Sequence, residues 1–159
     1  MTIRPATPDD HDAIWSIFHE VVATADTYAY APNTTREEAL RLWVETTRAT
    51  YVVEDGGDVL GTYFIRTNQP GLGAHVCNAG YMVAARARGR GFGRALCEHS
   101  LEEARRLGYR AMQYNLVVST NPAVRLWEQM GFEKVGRLPE AFHLHGREYV
   151  DAFVMYRLL

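Results

Sequence analysis

The sequence predicts an α/β fold built on one mixed sheet, and three observations carry that prediction. After two helical patterns, the second half of the chain runs strand, strand, helix, strand, helix, strand, strand. The turn Asp55-Gly56-Gly57-Asp58 separates two apolar runs and so makes a hairpin. A strand, an amphipathic helix and a second strand then fill residues 79–118, a unit of the length that joins parallel strands by a right-handed crossover.

In chain order, Ile3-Arg4-Pro5-Ala6 reads as a short first strand. Thr7-Pro8-Asp9-Asp10 then starts a helix, with Thr7 as cap, Pro8 in the first position and acids facing the positive end of the dipole. Ile14, Ile17, Phe18, Val21 and Val22 recur at helical spacing. Thr24 to Asn33 is loop-like and carries Tyr28, Tyr30 and Pro32. Thr35 begins a second helix, and Glu38 three residues on completes a capping box. Tyr51 to Glu54 and Val59 to Ile65 are the hairpin strands, and Gly71 and Gly73 punctuate a flexible loop before a strand from His75 to Val83. In the next helix Leu96, Cys97, Ser100, Leu101, Ala104 and Leu107 form one face, Arg94, Glu98, Glu102, Arg105 and Arg106 cover the other, and Gly108 ends it. A strand at Ala111 to Val118 follows. A short helix then has Asn121 as cap, Pro122 at its first position and Gly131 just past its end. Phe132 to Arg137 and Tyr149 to Leu158 are the last strands, with a polar, His-containing loop between them.

Length and composition bound the answer. At 159 residues, without repeats, low-complexity segments or linkers, residues 1–159 read as a single domain. Apolar residues make up 47% and charged residues 23%, as expected of a soluble globular protein. A net charge of −2 gives no nucleic-acid signature, and no apolar run is long enough to cross a bilayer. Met1-Thr2-Ile3-Arg4-Pro5 leads into structure rather than into a signal peptide. Cys77 and Cys97 have neither metal nor redox spacing and read as buried free thiols. The expected location is the cytoplasm, with no nucleic-acid or membrane partner.

The chemistry concentrates in Arg88-Gly89-Arg90-Gly91-Phe92-Gly93-Arg94. Glycines let the backbone take positive φ and approach a ligand closely. The helix starting there offers unpaired N–H groups and a dipole that favours anions, while Arg88, Arg90 and Arg94 add cationic donors. Such a loop suits a phosphate or pyrophosphate. It lacks the Gly-Lys-Ser/Thr ending of a P-loop. Its third glycine comes too early, and the loop too late in the chain, for a dinucleotide fingerprint. A tight connection whose glycines serve only packing is the plain alternative for this stretch taken alone.

With Arg88, Gly91 and Gly93 in its defined positions, the loop resembles the R/Q-x-x-G-x-G/A pyrophosphate loop of the GNAT acetyl-CoA-dependent N-acetyltransferases. The run Asn115 to Phe132 resembles the same family's strand, Asn, short helix and closing Gly-Phe. The resemblance covers the second half of the chain; the first half follows the family in its coarse pattern. It implies a mixed, mostly antiparallel sheet with helices on both faces and a splayed central pair of parallel strands, and acetyl-CoA as co-substrate without a metal. It also implies that backbone groups of Met82, Val83 and Ala84 hold the pantetheine arm and that one of their N–H groups faces the thioester oxygen. Residues Arg88, Gly89, Arg90, Gly91, Phe92, Gly93 and Arg94 would bind the pyrophosphate, with Asn121 also meeting the cofactor. Many family members have a Tyr that protonates the leaving thiolate where this chain has Trp127, and indole is no acid at neutral pH.

Asn78 and Asn115 are the candidate catalytic residues. Each lies inside a strand expected to splay, where Asn is disfavoured and where an unpaired amide is unfavourable. They could bind an amine, a carboxylate or a tetrahedral intermediate; a hydrogen-bonded pair without a substrate role is the alternative. The spacing of Asn78, Asn115 and Asn121, with Trp127 in the Tyr position, is similar to that of yeast-type N-acetyltransferases acting on proline analogues, where the first two line the substrate site. His75, Tyr81 and Tyr114 are candidates for proton relay, Tyr28 and Tyr30 for a substrate loop. His143, His145 and Asp151 make a poor metal signature. The expected reaction is acetyl transfer to an amine of a small molecule, such as an amino acid or analogue. A protein (Lys or N-terminal) acetyltransferase and a non-catalytic acyl-CoA-binding module are the alternatives, and a homodimer is compatible with each.

Overall fold

The computed structural model describes all 159 residues. Strands β1 (Thr2–Pro5), β2 (Ala49–Asp55), β3 (Asp58–Thr67), β4 (Val76–Val83), β5 (Ala111–Val118), β6 (Glu133–Leu144) and β7 (Glu148–Leu158) form one sheet, ordered β1-β2-β3-β4-β5-β7-β6. Every neighbouring pair is antiparallel except β4–β5. Helices α1 (His11–Ala23) and α2 (Arg36–Leu40) lie on one face, α3 (Phe92–Arg106) and α4 (Ala123–Gln129) on the other. Alternation along β3 makes this division: Phe64 meets Trp43, while Tyr63 meets His99 of α3. No helix is long and apolar enough to cross a membrane.

The local signals explain most elements. Gly56 and Gly57 have φ of 60° and 85°, the pair of positive values that a two-residue hairpin turn requires. The start of α1 is braced by Asp10, whose carboxylate accepts the Thr7 N–H at 2.7 Å and both Nη groups of Arg4 at 2.7 and 2.8 Å. Thr35 caps α2 by accepting the Glu38 N–H at 3.2 Å. The return half of the expected capping box does not form, because Glu38 is drawn to Arg41. The chain then widens into a π turn at Arg41–Glu45, which buries Trp43 with its Nε1 donating to Thr62.

The last hairpin departs from expectation. The segment read as a polar loop is the second half of β6, which pairs with β7 as far as Leu144–Glu148. Its polarity is that of an edge strand. Register slips between Leu138 and Phe142, where the Glu140 N–H donates to the Asp151 carboxylate at 2.9 Å. His75 likewise lies outside β4; it is exposed, and its carbonyl accepts the Arg110 N–H.

The feature that positions the site is the parting of β4 and β5. They pair only at Val76–Ala111 and Cys77–Met112, and beyond that point no ladder joins them. Residues 115 and 116 of β5 are bulged relative to β7.

Candidate functional site

A cavity of about 550 Å³ opens where β4 and β5 part. Met82, Val83, Arg88, Asn78, Asn115 and Asn121 line it, together with Tyr28, Tyr30, Tyr81, Tyr114 and Trp127. Side chains separated by up to 99 positions in sequence thus meet at one place.

The backbone of β4 is used on alternate sides. The Tyr28 hydroxyl accepts the Tyr81 N–H at 2.8 Å and donates to the Tyr81 carbonyl at 2.5 Å, so Tyr81 turns its peptide groups to the gap. Residues one position away must turn theirs toward β3. Met82 pairs with Thr62, and the Ala84 N–H donates to the Leu60 carbonyl at 2.8 Å. The three residues therefore differ: Met82 turns its backbone groups to β3, Ala84 donates to β3 and accepts the Ala87 N–H at 2.9 Å, and Val83 is the one directed at the gap.

The glycine loop leads into α3. Gly89 and Gly91 have φ of 73° and 86°, and a Cβ at either position would meet nothing within 4 Å, so the loop lies open. None of the N–H groups of residues 89–94 donates to a group within the protein. An anion seated there would meet several donors at once. Of the three arginines, Arg90 pairs with Asp55 at 3.0 Å and lies against Phe92, while Arg94 donates to Gln129 at 2.6 Å and ties α3 to α4. Arg88 is left facing the cavity. Gly93 approaches Leu126 of α4, where a Cβ would lie 3.7 Å away.

The asparagines differ in how they are held. Asn78 Nδ2 donates to the Gln113 carbonyl at 2.9 Å and spans the gap just beyond the last ladder pair. Its Oδ1 has no partner within the protein. Asn115 is exposed at the bulge of β5; its Nδ2 donates to Asn68 at 2.7 Å, and its Oδ1 accepts from Gln113 at 3.0 Å. Asn121 Oδ1 accepts the Ala123 N–H at 2.9 Å, but α4 begins at Ala123 with Pro122 in the cap position, one residue later than the sequence suggests.

Trp127 packs against Tyr81 and Tyr114, with ring centroids 5.0 and 5.2 Å apart. The Tyr81 hydroxyl is bonded to Ser100 at 2.7 Å and to Tyr114 at 2.9 Å. Burial holds both phenols well above their ordinary pKa, so they stay neutral rather than relay protons through phenolate. His75 does not line the cavity, and the remaining His candidates are engaged elsewhere: His143 stacks on Tyr149 and His145 bonds to the Thr24 carbonyl. No three His, Cys, Asp or Glu side chains gather as a metal site. Sequence reading missed Asp26, the one carboxylate on the cavity wall, and Asn68, the partner of Asn115. Nothing local marks either; only tertiary packing brings their loops to the gap.

The comparison that decides the family matches residues 11–132 to the model described as Acetyltransferase (GNAT) family. The chain belongs to the GNAT family. Among its relatives, the N-acetyltransferase aca1 of Schizosaccharomyces pombe is 38% identical over 108 residues, which are 67% of this chain and 52% of that protein. The chain therefore spans about half the length of that relative. The L-amino acid N-acetyltransferase AaaT of Escherichia coli is 31% identical over 103 residues, 64% of this chain and 63% of that protein. The GCN5-related N-acetyltransferase structure from Kribbella flavida superimposes with a TM-score of 0.92 at 47% identity, covering 99% of this chain and 97% of that one. A phosphinothricin acetyltransferase from Sinorhizobium meliloti, solved in complex with AcCoA, gives 0.86 at 27% identity, over 99% and 88% of the chains. As a GNAT protein, the chain has the family's sheet with its parted parallel pair.

Proposed function

We propose that this GNAT protein transfers the acetyl group of acetyl-CoA to the amine of a small molecule of the amino-acid class. One observation carries the reading: the gap-facing Val83, the Asn78 amide and Arg88 line a single cavity, and Arg88 leads directly into residues 89–94, whose N–H groups are uncommitted. The loop fits a pyrophosphate, the strand gap fits an extended arm, and the far wall, with Tyr28, Tyr30 and Asn78, fits a small acceptor. A relative whose name is L-amino acid N-acetyltransferase supports the acceptor class.

Acetyl-CoA supplies the activated acyl group. The chain supplies the rest. Residues 88–94 and the Asn121 amide hold the cofactor's polar end. The Val83 N–H faces the gap and can donate to the carbonyl oxygen as negative charge develops there, a contribution of about 3 kcal/mol for one such donor. Asn78 Oδ1 orients the amine without protonating it. Asp26 is the carboxylate on the wall able to accept the proton that the amine sheds on forming its bond to carbon. Trp127 donates no proton to sulfur. The thiolate leaves without help, which its pKa of about 8.5 permits.

The test has two parts. Saturating acetyl-CoA should raise Tm by roughly 5–10 °C, and Gly91→Asp, which sets a strained backbone and a negative charge among the phosphate donors, should abolish that rise. Thiol release should then be followed with L-amino acids, other small amines and Lys- or N-terminal peptides. Transfer to peptides alone, or acetyl-CoA binding with no transfer, would overturn the acceptor assignment.

A further inference from the structure

One buried side-chain nitrogen or oxygen in the whole protein lacks a hydrogen-bond partner, and it is Nε of Arg66. Arg66 stands near the end of β3. Its guanidinium lies 4.3 Å from the centroid of the Phe64 ring, and Nη2 donates to the Leu42 carbonyl at 2.5 Å. No ion pair within the protein involves it, and what sets it apart from the other unpaired arginines is the buried, partnerless Nε. A half-buried cation without a counter-ion is unfavourable, and native proteins retain few such groups.

Its surroundings give it a purpose. Arg66 is the register partner of Asn78 across the β3–β4 ladder, as Phe64 is of Gly80. Register partners share a face of the sheet, with Cβ atoms about 5 Å apart. Phe64, Asn78 and Gly80 line the cavity, on the side of α1 and Tyr30, and Arg66 stands next to Asn78 just outside that lining. The Arg66 charge is felt at the Tyr30 hydroxyl, where it opposes the upward shift caused by burial.

We propose that Arg66 binds a carboxylate of the acceptor, so that the acceptor is an amino acid or a similar amine with a carboxylate within a few atoms of its nitrogen. This rests on the small-molecule reading above and narrows it. A guanidinium has five N–H donors in a planar fork that matches a carboxylate; here Nη2 is tied to the Leu42 carbonyl and the Nε–H is buried without a partner, so Nη1 is the end left free to meet an anion. Asn78 next to it keeps Oδ1 free, with Nδ2 fixed on Gln113, so an anion receptor and an amine receptor stand side by side. That pairing matches a zwitterionic amino acid once its amine has lost a proton.

The experiment compares wild type, Arg66→Gln and Arg66→Lys on L-amino acids and on the same amino acids as carboxamides, at saturating acetyl-CoA. Wild type should prefer the acids. Arg66→Gln should lower kcat/KM for the acids about a hundredfold, mainly through KM, and change it for the amides by less than about threefold. Arg66→Lys should recover part of the loss, since it keeps the charge but not the fork. Equal losses on acids and amides would mark Arg66 as a scaffold residue and overturn the proposal, as would unchanged kinetics on the acids. Binding is read separately by calorimetry, titrating N-acetyl-L-amino acids and their amides onto the protein with CoA. Absence of transfer to every amine defeats the small-molecule reading. Carboxylate-dependent binding that survives Arg66→Gln, or no such binding in wild type, defeats the Arg66 assignment.

Discussion

Asn78 and Asn115 line the cavity from the two strands that part, β4 and β5, but are held differently, and that difference sets what each substitution should do. Asn78 is anchored through its nitrogen and offers its oxygen to the cavity; Asn115 has both ends of its amide tied, to Asn68 and Gln113. Asn78→Ala is expected to lower kcat/KM about 10²-fold with acetyl-CoA affinity unchanged, and Asn115→Ala only about tenfold, by loosening the bulge that shapes the gap. Steady-state kinetics with parallel CoA binding checks both, and wild-type values would leave them as scaffold residues. Trp127 belongs to the packing between Tyr81 and Tyr114. Trp127→Phe should keep kcat within about threefold and lower stability by about 1 kcal/mol. A loss of several hundredfold in kcat, with the fold intact, would give Trp127 a chemical role. Both asparagines were legible in the sequence because Asn inside an apolar strand is conspicuous. Asp26, Asn68 and Arg66 were not, because a charge or amide in or beside a loop looks like ordinary solvated surface until its neighbours are known.

Among the elements, the joint between β1 and α1 depends on one carboxyl. The Arg4 guanidinium bonded to Asp10, with the Thr7 N–H, holds the Asp10 carboxyl at about 2, against 3.8 for the free group. The folded state therefore binds this proton later than the unfolded chain does. Its stabilisation, about 2 kcal/mol, is present above about pH 4 and is lost as pH falls toward 2. Urea midpoints measured from pH 2 to 6 should fall more steeply on acidification in wild type than in Asp10→Asn, which starts lower at pH 6; parallel curves would refute the brace. Sequence cues located α1, α3 and the β2–β3 hairpin because caps, a two-glycine turn and helical spacing are local. The second half of β6 escaped them. Its charged, His-containing residues satisfy their backbone through β7, a partner that no local pattern announces.

For the whole molecule, the core gathers on both faces of the sheet, and the two cysteines report on it. Cys77 and Cys97 are buried and unpaired, and burial pushes their thiols up to about 12 and about 11. Neither should react with an aromatic disulfide reagent at pH 8 in the native state, and both should react on the timescale of unfolding. Acetyl-CoA, by stabilising the folded form, should slow that reaction further. Rapid titration of one thiol in the native protein would show that the sheet opens locally beside it.

By itself the sequence determined the element order, the glycine loop, the parallel crossover and, through the match of two spaced motifs, the family. Those are properties of neighbouring residues, whose propensities, turns and caps act over a few positions. Tertiary structure alone decided the use of each group: that Tyr28 caps Tyr81 in the gap and leaves Val83 to face it, that Arg90 and Arg94 are spent on Asp55 and Gln129, and that Arg66 is left without an acid. Hydrogen bonds and ion pairs are allotted between groups brought together by the fold, and their partners lie 35 to 53 residues apart along the chain.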